Sequence, residues 1–295
     1  MTTAFVLSGG GNMGAVQVGM LAALREQRVF PDLLVGTSVG ALNVAYLGNR
    51  GLTAEALDGL AQLWHRARRR DVFPLDTLRQ LLALAGRRPS LCSSDPLRRL
   101  ITDNVSYRQL QDATVPLHLI TTNMLTGEQV CISAGDVVPA VLASTAVPAV
   151  FPTVEFDGMV LCDGGLATTG GISRAVMLGA DTVYLLPAGY ACALTRVPGG
   201  TLGVAVHALS LLIQRQLLLE VAHLAERVDL HVLPPLCPVA VSPLDFTRAG
   251  ELIGKAYRAT STWLAERGDR LPHPERFLSL HDHDPGVPRY DCPAR

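Results

Sequence analysis

Three short stretches carry residue types able to do chemistry. In Gly36-Thr37-Ser38-Val39-Gly40 a serine lies between two glycines, each two residues away, after the apolar run Leu33 to Val35. The spacing predicts a strand-to-helix turn so tight that the flanking backbones nearly touch, with the Ser38 hydroxyl standing above the sheet. An exposed serine hydroxyl is a nucleophile for acyl transfer once it has a base and donors for the tetrahedral oxyanion. Gly9-Gly10-Gly11-Asn12-Met13-Gly14 follows the first apolar run and offers free main-chain N–H groups. Its Gly9-x-Gly11-x-x-Gly14 spacing also matches the dinucleotide fingerprint, which requires an acid at the end of the next strand to hold the ribose. That strand ends instead in Gly36-Thr37-Ser38, and Asp32 precedes it. The glycine N–H groups therefore read better as oxyanion donors. The third stretch is Asp163-Gly164-Gly165, an aspartate at a strand end. By pattern alone a turn aspartate is the commoner use of Asp-Gly. His207, His223, His231 and His273 follow in the order Ser, Asp, His of a hydrolase triad, but none has supporting local context.

No metal site is expected. Cys92, Cys131, Cys162, Cys192, Cys237 and Cys292 are irregularly spaced, without a C-x-x-C pair, and read as reduced intracellular thiols. His281-Asp282-His283-Asp284 has metal-binding residue types but reads as exposed filler in a tail. No cofactor is implied. The net charge of -1 gives no global attraction for nucleic acid or for an anionic membrane. Charged residues are 17% of the chain and mean hydropathy is +0.28, which points to apolar substrates or partners. The basic run His65-Arg66-Ala67-Arg68-Arg69-Arg70 is expected at a helix C-terminus, where the macrodipole favours cations.

The elements that must position these residues alternate. Ala4 to Ser8 reads as a strand, Ala15 to Arg25 as a helix, Leu33 to Val35 as a strand, and Ala41 to Tyr46 as a helix. Right-handed crossovers make such strands parallel and bring the glycine loop and Ser38 to the same edge of the sheet. Residues 53–111 read as helical pieces inserted into the sheet domain. Two hairpins follow, at Thr126-Gly127 and Asp157-Gly158, then Thr182 to Pro187 and Asp229 to Leu233 as further strands and Leu252 to Arg267 as the closing helix. The apolar stretch Thr201 to Val221, interrupted by His207, Gln214, Arg215 and Glu220, is expected as a buried helix rather than a membrane span. The first strand begins at once, leaving no room for a signal peptide, so a cytoplasmic location is expected. A single domain over 4–270 with a Pro-rich tail over 271–295 is the resulting organisation.

Gly-Gly-Gly-x-x-Gly after the first strand, Gly-Thr-Ser-Val-Gly after the second and Asp-Gly-Gly later resemble, in that order, the patatin-like phospholipase family. Ala143-Ser144-Thr145-Ala146-Val147-Pro148 with Phe151-Pro152, and Ser242-Pro243-Leu244-Asp245-Phe246, are also similar. The resemblance spans about residues 4 to 264. It implies an α/β fold of three layers, αβα, with a mainly parallel central sheet and an inserted helical cap. It also implies a serine acyl hydrolase acting on lipid or acyl-ester substrates through a Ser38–Asp163 dyad, with Gly10, Gly11 and Asn12 as the oxyanion hole; the histidines then have no catalytic role. Gly9, Gly14, Gly36, Gly40, Gly164 and Gly165 complete the motifs. Met13 stands where the family carries Arg or Lys, and Leu166-Ala167-Thr168-Thr169 where it carries a polar, Asn-rich segment. The competing classes are a catalytically silent lipid-binding member and a dinucleotide-binding oxidoreductase. The expected substrates are apolar esters as monomers or micelles, with at most weak peripheral contact with membranes.

Overall fold

The computed structural model describes residues 1–266, except 75, 167–170, 195 and 243, and also Leu278. The first half runs β1 (Thr3–Leu7), α1 (Gly14–Glu26), β2 (Leu33–Thr37), α2 (Val39–Leu47), α3 (Ala54–Arg66), α4 (Arg69–Val72), α5 (Thr77–Leu84) and α6 (Asp95–Asn104). Then come β3 (Leu117–Asn123), β4 (Gln129–Ile132), α7 (Val137–Ser144), β5 (Val154–Phe156), β6 (Met159–Asp163), α8 (Gly171–Met177), β7 (Thr182–Leu186), α9 (Gly200–Leu224), β8 (Asp229–Val232) and α10 (Ala249–Glu266).

The sheet order is β5-β6-β3-β2-β1-β7-β8, with β4 also paired to β3. Strands β3, β2, β1, β7 and β8 are parallel, while β4, β5 and β6 are antiparallel additions. Alternation along β1 divides the core between two faces. Phe5 and Leu7 pack with α1, α2, α3, α7 and α10, whereas Ala4 and Val6 pack with α8 and α9. This is a three-layer α/β fold. On the first face α1 and α10 cross closely at Gly19, where a Cβ would stand 2.2 Å from the Ile253 carbonyl oxygen.

Strand β3 is the template for the site. Leu119 and Ile120 pair with both β2 and β4, while Thr121 and Thr122 pair with both β4 and β6. A strand residue has one partner on each side, so β2 and β6 share one edge of β3 and run toward each other. Thr37, the end of β2, lies opposite Ile120; Asp163, the end of β6, lies opposite Thr121. The register alone thus brings the residue after β2 and the last residue of β6 together.

Two local expectations need correction. The helix expected to close in the basic run 65–70 stops at Arg66, because Ala67 turns to extended backbone (ψ 131), and Arg69 and Arg70 open α4 instead of closing α3. The apolar helix is not buried: α9 turns Val204, Leu212 and Leu219 to solvent while Ser210 and Gln214 are buried. The Pro-rich tail, with His273, His281 and His283, lies outside the described residues apart from Leu278, whose side chain is buried and whose carbonyl accepts from Gln214 Nε2 at 2.7 Å.

Candidate active site

Ser38 sits at the turn between β2 and α2 with φ 54° and ψ −121°, a left-handed conformation that a non-glycine residue adopts only where its surroundings enforce it. Both flanking glycines are required by close approach. A Cβ on Gly36 would meet Ala41 N and Cα at 2.8 and 2.7 Å, and one on Gly40 would stand 2.2 Å from the Leu7 carbonyl oxygen. The Ser38 N–H, freed by the turn, donates to Ser144 Oγ at 3.0 Å; Ser144 in turn donates to the Ile120 carbonyl at 2.7 Å. In the sequence Ser144 carries no chemical signal beyond its place in the family-like passage Ala143 to Pro148. The structure makes it a bracket between β3 and the turn, which no local pattern announces.

The Ser38 hydroxyl donates to Asp163 Oδ2 at 2.6 Å, and the Gly165 N–H donates to Asp163 Oδ1 at 2.8 Å. The Asp163 backbone is held as well: its N–H donates to the Ala146 carbonyl at 2.9 Å and its carbonyl accepts from Thr122 Oγ1 at 2.9 Å. Gly164 is pressed against β3, since a Cβ there would lie 2.2 Å from the Ile120 carbonyl oxygen. Burial pushes the Asp163 carboxyl up from its ordinary 3.8 to about 6, against the smaller downward pull of the bonds from Ser38 and Gly165. The residue is fully buried, and removing a carboxylate from water outweighs two hydrogen bonds.

The glycine loop faces the same cleft. Gly10 and Gly11 line a pocket with Ser38, and Gly11 takes φ 59°. Gly11 to Met13 form a single 3-10 turn that runs directly into α1, so the first N–H groups of that turn have no acceptor within it. Asn12 is buried and its Nδ2 donates to the Asp245 carbonyl, which ties the loop to the segment before α10. Met13 belongs to the core and does not line the pocket. A buried chain of side chains supports the loop from behind. Gln17 Nε2 donates to the Ser8 and Leu186 carbonyls, Asn43 Nδ2 donates to Gln17 Oε1 and the Gly14 carbonyl, and Trp64 Nε1 donates to Asn43 Oδ1. These partners lie far apart in the chain, so sequence reading missed them.

The pocket above Ser38 is walled by Val39, Leu42, Trp64, Val72, Phe73, Leu97, Val147, Phe151, Val206, Leu209, Ile213 and Phe246. Its aromatic side is continuous: Trp64 stacks on Phe246 at 6.3 Å between centroids, and Phe73 lies 5.5 Å from Phe151 and 6.2 Å from Phe246. Apart from the main chain of the loop, its polar groups are the hydroxyls of Ser38, Thr145 and Ser210. None of the described histidines lines it. His223 is exposed on α9, and His231 stacks on Tyr184 at 4.6 Å beside Asp229, on β8. Asp32, the remaining acid a nucleotide would need, accepts from the Thr3 N–H at the opposite end of β1 from the glycine loop. The arrangement is chemically a hydroxyl bonded to a buried carboxylate under an apolar roof, with main-chain donors beside it.

The model of the patatin-like phospholipase family matches residues 5–176, more than half of the chain and all three motifs. Lysophospholipase nte1 of Aspergillus terreus is 29% identical over 184 residues, 62% of this chain and 12% of that protein. Patatin-like phospholipase domain-containing protein 7 of Mus musculus is 30% identical over 188 residues, 63% of this chain and 13% of that protein. The chain therefore corresponds to a small part of the length of either relative. VipD from Legionella pneumophila superposes with a TM-score of 0.45 at 15% identity, covering 90% of this chain and 67% of that one.

Proposed function

The chain belongs to the patatin-like phospholipase family, and from that premise we propose that it is a carboxylic ester hydrolase acting on acyl lipids, with Ser38 as nucleophile and Asp163 as base. The observation that carries this reading is the 2.6 Å bond from Ser38 Oγ to Asp163 Oδ2 at the floor of an apolar pocket. In the first half-reaction Ser38 Oγ attacks the acyl carbon as its proton passes to Asp163. The carbonyl electrons move onto oxygen, which the N–H groups of Gly10, Gly11 and Asn12 stabilise. Collapse expels the alcohol portion of the lipid, which takes the proton back from Asp163. Water then repeats the sequence on the acyl-enzyme, releasing a fatty acid. A carboxyl raised to about 6 is a better-matched base near neutral pH than one at 3.8. The lysophospholipase and phospholipase names of the relatives support the lipid class of substrate. Labelling with a fluorophosphonate, alongside hydrolysis of a soluble short-chain ester, tests the proposal. Wild type should label and turn over, whereas Ser38→Ala should do neither while keeping its melting curve. Turnover surviving in the Ser38→Ala protein sinks the reading.

A further inference from the structure

Helix α9 buries Val206, Leu217, Val221 and Leu224 against the domain, yet the face it turns away from the domain is apolar as well. Leu212 is 56% exposed and Leu219 59%, in a stripe with Val204 and Ala208, while Ser210 and Gln214 face inward. The helix is long and apolar enough to cross a membrane, yet its inner side is fastened to the domain. Gln214 reaches the Leu278 carbonyl, and Glu220 accepts from the Ser173 N–H at 2.7 Å. Its exposed charged side chain is Arg215, with no exposed carboxylate beside it.

The arginine-rich segment adjoins the start of this helix. Arg69 and Gln80 face Gly199 to Gly203 across a groove, and beside them α5 exposes Leu78 at 68% and Leu81 at 61%. Residues 66 to 88 hold seven arginines and two acidic residues in a chain whose net charge is -1. Arg66, Arg68, Arg69, Arg70, Arg87 and Arg88 are all exposed. Val206, Leu209 and Ile213 of the same α9, with Val72 of α4, wall the pocket above Ser38.

We propose that α9 and the α4–α5 segment form one face that docks on an anionic lipid surface, with α9 lying in the interface plane and the pocket opening at the contact. Leucines between cations are the chemistry of an interfacial helix, and each arginine near an anionic leaflet adds to the attraction. A second copy of the chain fits less well, since a symmetric pairing through this face sets two arginine runs against each other. The inference deepens the hydrolase reading by naming where its substrate is taken from, and it departs from the weak membrane contact expected from sequence alone.

Co-sedimentation with phosphatidylcholine vesicles, with and without phosphatidylglycerol, tests it in the Ser38→Ala background, where lipid is not consumed. Binding should rise with phosphatidylglycerol and fall with salt. Leu212→Glu with Leu219→Glu should weaken it by about tenfold or more, and Arg69→Gln with Arg70→Gln should weaken the phosphatidylglycerol-dependent part by about tenfold. In protein retaining Ser38, both pairs should leave hydrolysis of a soluble short-chain ester unchanged. Equal binding by the glutamate pair and its parent, or no binding to either vesicle, overturns the proposal. So does a dimer in solution that the glutamates dissolve. Docking without any ester hydrolysis would leave this face standing and remove the hydrolase reading instead.

Discussion

The floor of the pocket and its roof are built on opposite terms. On the floor, Ser38, Ser144, Thr122 and Asp163 are each held by hydrogen bonds to β3 or to one another, and Gly36, Gly40 and Gly164 touch neighbouring backbone with no room for a methyl group. In the roof, α4, α5 and α9 turn Arg69, Arg70, Leu78, Leu81, Leu212 and Leu219 to solvent, and Val72, Val206, Leu209 and Ile213 wall the pocket by apolar contact. On the proposed mechanism, the groups that hold the reacting geometry sit where close backbone contacts leave no room for a side chain. In the proposed reaction, the groups that admit the acyl chain belong to elements that also present leucines and arginines to solvent.

Substitutions on the floor should therefore cost more than substitutions in the roof. Asp163→Asn should lower kcat by at least about a hundredfold, the scale for losing a positioned base. It should also raise stability. The unfolded carboxyl ionises from 3.8 and the folded one holds its proton to about 6, so between those values the native state binds more protons and stability falls as pH rises. Asparagine escapes that loss, so its advantage should be absent near pH 4 and reach about 2 to 3 kcal/mol above pH 6. Urea titrations at both pH values measure it, and wild-type turnover should rise through pH 6 as the base ionises. A variant that is inactive but no more stable at neutral pH would mean that the buried carboxylate is not under the strain described.

Gly40→Ala should come next, lowering turnover roughly tenfold to a hundredfold, because a methyl 2.2 Å from the Leu7 oxygen must push β1 or the Ser38 turn aside. It should destabilise by about 1 to 3 kcal/mol. In the roof, Leu209→Ala should lower kcat/KM several-fold for a long-chain ester, following the apolar contact removed, and leave an acetyl ester unaffected. Equal losses on both esters would move Leu209 from the substrate wall to the reacting geometry, and the contrast between floor and roof would fail there. The smallest effect is expected from a chelator. Prolonged dialysis against EDTA should leave turnover unchanged, and recovery of lost activity by calcium or zinc would contradict a hydroxyl–carboxylate mechanism.

Ser38 was legible because its constraint is local: the glycines two residues either side are demanded by the turn itself. The alternation of elements was legible for the same reason, and β1, α1, β2 and the hairpin at Asp157-Gly158 lie where periodicity put them. Asp163 was not, since what distinguishes it from a turn aspartate is the meeting of β2 and β6 on one edge of β3, a relation between residues 125 positions apart. Only the family resemblance reached it. The aromatic wall defeats local reading similarly, because Trp64, Phe73, Phe151 and Phe246 come from separate segments. Helix α9 misled for a different reason. Apolar residues run all round it, so that while Val206, Leu217, Val221 and Leu224 are buried, Val204, Leu212 and Leu219 are left facing outward.

Trp64 makes the pocket optically addressable. The chain has two tryptophans, and Trp64 is the one that lines the pocket, buried, with its indole N–H on Asn43 and its ring against Phe246. An indole in so apolar a setting emits toward the blue, and an acyl chain sliding along its face displaces whatever solvent reaches it. With Trp263 replaced by Phe, the remaining emission would follow occupancy of the pocket in real time, without a label and without turnover.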